Sequence, residues 1–127
     1  MADRFSKFKK SSYNIIAMNI LIIGYGSAGK RHAKILNSFK HIQKINILTK
    51  QNIKTKNKII FVSKINDLDP DLIVVANETY KHYRTCKFLE EKFSNKTIIC
   101  EKPIFEKFYN FKPKKNKFIV AYNLRFH

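Results

Sequence analysis

The sequence predicts an α/β fold: an open, mostly parallel β-sheet flanked by helices. Three observations carry this. Short runs rich in Ile, Leu and Val recur along the chain, and the two strongest lack the alternation expected of a strand with one wet face. Segments with apolar residues at helical spacing lie between runs, the order produced when crossovers pack on the faces of a parallel sheet. A glycine cluster directly follows the first run, where a strand would turn tightly into a helix.

The elements follow in chain order. Residues 1–17 mix Lys, Ser and Asn with isolated aromatics and show no period, so they are expected to form a loose basic tail. The ordered domain is expected to span residues 18–127, a length that fits one domain. Met18 opens the first apolar run and is therefore also a candidate translation start. Met18-Asn19-Ile20-Leu21-Ile22-Ile23 reads as a strand buried on both faces. Residues 28–39 read as a helix whose buried stripe contains Ala28, Ala33, Ile35, Leu36 and Phe39. A second strand is expected over residues 45–49 and a short third over 59–62; the polar segment between them leaves little room for a crossover helix. The turn Asp67-Leu68-Asp69-Pro70 feeds a strong fourth strand over 71–76. Residues 79–93 form a second helix, with Tyr83, Cys86, Leu89 and Phe93 spaced near 3.6 residues. A fifth strand covers 97–100, and after a Lys-rich connector a last strand covers 118–122.

Gly24-Tyr25-Gly26-Ser27-Ala28-Gly29 matches G-x-G-x-x-G in the setting that pattern requires, after a buried strand and before a helix. The chain contains three glycines, and all of them are in this loop. Their roles would differ: Gly24 permits the turn, Gly26 lets backbone approach a pyrophosphate, and Gly29 lets helix and strand pack closely. The helix start would present free N–H groups and partial positive charge to that phosphate. The expected fold is accordingly Rossmann-like, and the six loop residues, Tyr25, Ser27 and Ala28 included, are candidate cofactor-binding residues.

Cofactor choice in such a site is made about twenty residues further on, where an Asp or Glu bonds the ribose 2′-hydroxyl of NAD. Here the segment is Leu48-Thr49-Lys50-Gln51, without an acid. Thr49 and Lys50 suit a 2′-phosphate instead, since a hydroxyl and a cation favour an anion. NAD and NADP both stay open, with NADP favoured. Ligands of open α/β sheets gather beyond the carboxyl ends of the strands. Asn77, Glu78, Thr79 and His82 follow the fourth strand, and Glu101, Lys102 and Pro103 follow the fifth.

Composition narrows the remaining classes. The 26 Lys and Arg against 9 Asp and Glu give a formal charge of +17, which would suit nucleic acid, an anionic membrane or anionic small molecules. The joint abundance of Lys, Asn, Ile, Phe and Tyr instead resembles coding bias of AT-rich genes. No recognition helix, RNA-binding signature or basic stripe accompanies the charge, so no specific nucleic-acid partner is expected. Cys86 and Cys100 are too few for a disulfide scaffold or a zinc site, which points to a reducing, cytoplasmic setting. No apolar run approaches the roughly 20 residues that span a bilayer, and no membrane partner is expected.

Gly24-Tyr25-Gly26-Ser27-Ala28-Gly29-Lys30-Arg31-His32, then Asn77-Glu78-Thr79-Tyr80-Lys81-His82, then Glu101-Lys102-Pro103, and finally Tyr122-Asn123-Leu124-Arg125-Phe126-His127 occur in the order and spacing of a known family. Together they resemble the Gfo/Idh/MocA oxidoreductases, named for glucose-fructose oxidoreductase and inositol dehydrogenase. The resemblance covers Met18 to the last residue. It implies a Rossmann domain for NAD or NADP, followed by a domain that binds substrate and mediates oligomers. It also implies hydride transfer at a carbon of a sugar, cyclitol or sugar nucleotide. By matching position, Lys102 would be the candidate catalytic residue beside nicotinamide and substrate, with Pro103 shaping its turn. Asn77, Thr79 and His82 would approach the cofactor, while Arg31 and His32 would belong to the first helix. Glu78 departs from the family, which commonly has proline there. The family's acid/base histidine belongs to the second domain, and none of His32, His41, His82 and His127 substitutes for it. The chain is therefore expected to bind a dinucleotide with negligible turnover alone, its sugar substrate requiring completion by that domain. The alternatives are a non-enzymatic remnant or nucleotide-binding module, and nonspecific nucleic-acid binding through the basic surface.

Overall fold

The computed structural model describes residues 17–121. The expectations for the tail before residue 17 and for residues 122–127, including Tyr122 and His127, lie outside the described residues.

Six strands, β1 (Met18–Ile23), β2 (Ile42–Leu48), β3 (Ile59–Val62), β4 (Leu72–Val75), β5 (Thr97–Glu101) and β6 (Lys117–Ala121), form one sheet in the order β3-β2-β1-β4-β5-β6. Every neighbouring pair is parallel. The apolar run of β1 explains its central place, because its alternate side chains feed different cores. Ile20 and Ile22 join Ile45, Ile47, Val74 and Ala33 on one face. Leu21 and Ile23 join Ile73, Val75, Cys86, Leu89 and Ile98 on the other. Burying each such side chain contributes about 2 kcal/mol.

Helix α1 (Ser27–Asn37) covers the first face, and α2 (His82–Lys92), preceded by a 3-10 turn over Thr79–Lys81, covers the second. The inward stripe of α1 differs from the one its apolar residues suggest. Gly29, His32 and Ala33 are its buried residues, while Ile35 and Phe39 are 49% and 45% exposed. With Ala33 turned inward, Ile35 is rotated by about 200° and must face out. Phe39 lies beyond the helix, which ends at Asn37 and is capped by Ser38, whose hydroxyl donates to the Ile35 carbonyl at 2.6 Å. In α2 the buried line is His82, Cys86 and Leu89, continued by Phe93. Tyr83 stands beside that line and stacks on Tyr109, ring centres 3.9 Å apart.

The described residues contain no helix in the β2–β3, β3–β4 or β5–β6 connections. Aromatic side chains take the place of the last one. Phe105, Tyr109 and Phe111 pack against Tyr83 and each other, and Phe111 meets Phe118 of β6 edge-on at 5.0 Å. The carboxylate of Glu90 on α2 fastens the far end of this connection by accepting from the backbone N–H groups of Lys114 and Lys115, both at 2.7 Å. Burial alone would raise the Glu90 pKa, but these N–H groups and the Asn116 amide outweigh it and hold the carboxyl below its ordinary value. No helix among the described residues is long and apolar enough to cross a membrane.

Candidate functional site

In this strand order the chain leaves β1 toward β2 on one side and returns to β4 on the other, so the connections leaving the paired carboxyl ends of β1 and β4 run to opposite faces of the sheet and leave a crevice between them. A cavity of about 760 Å³ opens there. Gly24, Tyr25, Gly26, Ser27, Ala28, Thr49, Lys50, Asn77 and Thr79, all expected from the sequence, line it. Gln51, Ser63, Glu78 and Lys81 line it as well. Ser63 follows β3 directly, so the rule that ligands gather at strand ends could have found it. Gly29, His82, Glu101, Lys102 and Pro103 are not among the lining residues.

The glycines divide by what surrounds them. Gly24 has φ +102°, and a Cβ there would lie 2.7 Å from the Ala76 carbonyl oxygen. Gly29 presses on the loop it follows, since a Cβ would lie 2.1 Å from the Gly24 oxygen. A Cβ on Gly26 would meet nothing within 4 Å. The protein's own packing therefore requires glycine at 24 and 29 but not at 26. Gly26 is also the N-cap of α1, no side chain caps that helix start, and its first turn holds no acid. The first-turn N–H groups are thus left for an anion.

The loop is held in place from two directions. Tyr25 packs edge-on against Phe61 of β3 with ring centres 5.0 Å apart. Its carbonyl accepts from Gln51 Nε2 at 3.1 Å, tying the glycine loop to the segment after β2. In that segment Thr49 Oγ1 accepts from the Gln51 N–H at 3.1 Å, which leaves the Thr49 hydroxyl hydrogen for another partner. Across the crevice Glu78 pairs with Lys81 at 3.4 Å. The Glu78 carboxyl sits below its ordinary pKa, chiefly through a backbone N–H and against a smaller effect of burial, with Lys81 and Lys50 adding to the shift. Asn77 donates from Nδ2 to Thr85 Oγ1 at 2.9 Å, but its buried Oδ1 has no hydrogen-bond partner. A dinucleotide fits both features: phosphate oxygens for the helix start beside Gly26, and hydroxyl or amide donors for Asn77 Oδ1.

His82, expected in the crevice, lies beneath it and is 1% exposed. Its Nε2 donates to the Asn77 carbonyl at 2.8 Å, and Nδ1 faces the carbonyls of Ile104 at 2.9 Å and Pro103 at 3.0 Å. Burial alone would lower its pKa; the Cys100 sulfur at 3.5 Å and the Asn77 and Ile104 carbonyls outweigh that and raise it to about 9. A hydrogen bond with Cys86, followed by burial, pushes the Cys100 thiol up, so that group stays neutral. The carbonyl contacts act in the same direction, because carbonyls only accept and both ring nitrogens face them. Stability contributed by this proton is complete below the unfolded-state value near 6.5 and is lost as pH rises through about 9. Urea midpoints are therefore expected to fall between pH 7 and 10, by at most about 3 kcal/mol of unfolding free energy. A flat profile over that range would contradict the protonated ring.

The carboxylate of Glu101, at the end of β5, bonds Nε2 of the buried His32 on α1, and Arg31 Nη2 approaches the same oxygen at 3.8 Å. This pair was not legible as a contact in the sequence. Lys102 and Pro103 come next, joined to each other by a cis peptide bond, and Lys102 is exposed.

The crevice at the reversal of strand order, the uncapped helix start and the glycine geometry define a dinucleotide-binding Rossmann domain. Residues 18–113 match the model of the Gfo/Idh/MocA family, described as an oxidoreductase family with an NAD-binding Rossmann fold, and the chain belongs to that family. Among solved structures, an oxidoreductase from Bacillus subtilis matches at TM-score 0.60 and 22% identity, over 72% of this chain and 28% of that one. Scyllo-inositol dehydrogenase from Lactobacillus casei, solved with bound NAD(H) and scyllo-inositol, matches at 0.59 and 19%, over 72% and 29%. UDP-N-acetylglucosamine 3-dehydrogenase from Acidithiobacillus ferrooxidans matches at 0.52 and 15%, over 69% and 30%. These likenesses show a shared fold, and the chain spans less than a third of the length of each. A search of curated proteins finds no match.

Proposed function

We propose that this NAD-binding domain takes NADP in preference to NAD and forms the cofactor half of an oxidoreductase acting on a sugar, cyclitol or sugar nucleotide. The observation that carries the cofactor choice is the segment after β2: Thr49 and Lys50 line the cavity, and that segment offers no carboxylate. A carboxylate would accept from a 2′-hydroxyl, whereas a lysine and a hydroxyl attract a 2′-phosphate. In the proposed complex the loop from Gly24 to Gly29 would hold the pyrophosphate, Asn77 and Thr79 would face the nicotinamide half, and Lys102, carried by the turn from Glu101 to Pro103 outside the cavity lining, would stand beside nicotinamide and substrate. The bound dinucleotide supplies hydride chemistry; the chain's own residues bind it, orient it and bring the Lys102 ammonium to the reacting end. The substrate class is supported by the family and by the fold shared with an inositol dehydrogenase and a sugar-nucleotide dehydrogenase.

Calorimetric titration of the 127-residue chain with each dinucleotide tests the reading. NADP is expected to bind more tightly, and Lys50→Glu to weaken NADP about tenfold while leaving NAD unchanged or tighter. Tighter NAD binding by the unaltered chain overturns the preference. Absence of binding to both leaves a non-enzymatic remnant. Dehydrogenase turnover by the chain alone is expected to be negligible, and rates of ordinary enzymes would refute that expectation.

A further inference from the structure

We infer that His32 and His82 are positioning residues that clamp the turn carrying Lys102 at both ends, one from each face of the sheet. The inference rests on the proposed place of Lys102 beside the nicotinamide. His32, on α1, holds the incoming end through the Glu101 carboxylate. His82, the first residue of α2 on the opposite face, holds the outgoing end through the carbonyls of Pro103 and Ile104. Lys102 lies between these two attachments, and its side chain is exposed while both histidines are buried.

The second clamp also reaches the crevice wall. Nε2 of His82 donates to the carbonyl of Asn77, a cavity residue at the end of β4. A neutral imidazole carries one N–H and can satisfy Asn77 or the turn, not both. Only the imidazolium joins them, so one proton fixes the turn relative to the crevice wall. The titratable groups facing the ring are the Cys100 thiol of β5 and, beyond it, Cys86 of α2, both buried thiols rather than carboxylates. An immobile turn of this kind is what a side chain on an irregular segment needs if it is to meet a ligand in one geometry.

The experiment combines a spectroscopic reading with a split between two ligands. In 15N-edited spectra of the unaltered chain, the His82 ring is expected to carry protons on both nitrogens at pH 7. Its titration is expected to have its midpoint near pH 9, with the backbone amides of Lys102 and Ile104 shifting at the same midpoint. A ring that is neutral at pH 7, or amides that ignore its titration, overturns the clamp. In His32→Gln and His82→Gln variants, affinity for ADP-ribose, which lacks nicotinamide, is expected to stay within about twofold while dinucleotide affinity falls about tenfold. Equal loss for both ligands overturns the positioning role and leaves a merely structural one. Should a variant fail to fold, the titration of the unaltered chain decides. If that chain binds neither ligand, the cofactor reading falls, and the ring and amide titration still supports or rejects the clamp.

Discussion

Replacing Gly26 with valine is expected to weaken dinucleotide binding by about a hundredfold, close to 2.7 kcal/mol, while the fold survives. The two sides of this prediction have separate causes. A Cβ at this position meets no protein atom within 4 Å, and the backbone there has φ −83° and ψ −158°, an extended conformation open to any residue. The cost to the free protein is limited to a poorer N-cap, at most about 1 kcal/mol. The branched side chain would instead occupy the approach to the first-turn N–H groups of α1, where a pyrophosphate must come close to backbone. Calorimetry with NAD and NADP, alongside urea unfolding, separates the two effects. Unchanged affinity would mean that phosphate does not sit at this helix start.

Gly29→Ala is expected to do the reverse and destabilise the domain by about 3 kcal/mol or more. The added methyl would stand 2.1 Å from the carbonyl oxygen of Gly24 and 2.9 Å from its carbon. These are backbone atoms, unable to swing aside as a side chain would, and Gly24 is itself pressed against Ala76. Relief requires α1 to lift from β1, which disturbs the packing of Ala33 against Ile20 and Ile22. The overpacking penalty exceeds the about 1 kcal/mol by which alanine improves a helix over glycine. Urea unfolding checks the outcome, and an unchanged midpoint would mean that the helix–strand contact is looser than the structure shows. Any loss of dinucleotide affinity in this variant should track the loss of folded protein.

Much of the scaffold is legible residue by residue, and for a simple reason. Ile20 to Ile23 and Leu72 to Val75 are strands inside a sheet covered on both faces, so an uninterrupted apolar run is both their cause and their signature. The same holds for the glycine spacing and for the short β2–β3 link, whose length cannot contain a full crossover helix. The helix stripes are less legible because apolar side chains are not obliged to be buried. Ile35 and Phe39 stay largely outside, while the polar ring of His32 turns in because Glu101 waits there to receive it. His82 shows the same limit. Its sequence position predicts a place in the crevice, but its two nitrogens find three carbonyls underneath, a set of acceptors assembled from segments 5 to 22 residues away.

The sequence alone determined the order of the strands and the place of the central ones, the glycine turn, the absence of an acid after β2 and, through the order of its motifs, the family to which the chain belongs, while β2 begins at Ile42, three residues before the expected start. These are local properties, written in runs, spacings and residue types, and a parallel sheet with buried strands expresses them directly. Only the tertiary structure decided which of three identical-looking glycines faces open space, which histidines are buried, and what they hold. Those outcomes depend on contacts such as His32 with Glu101, 69 residues apart. The partner of a buried polar group is chosen by how the helices seat on the sheet, and no spacing along the chain encodes that choice.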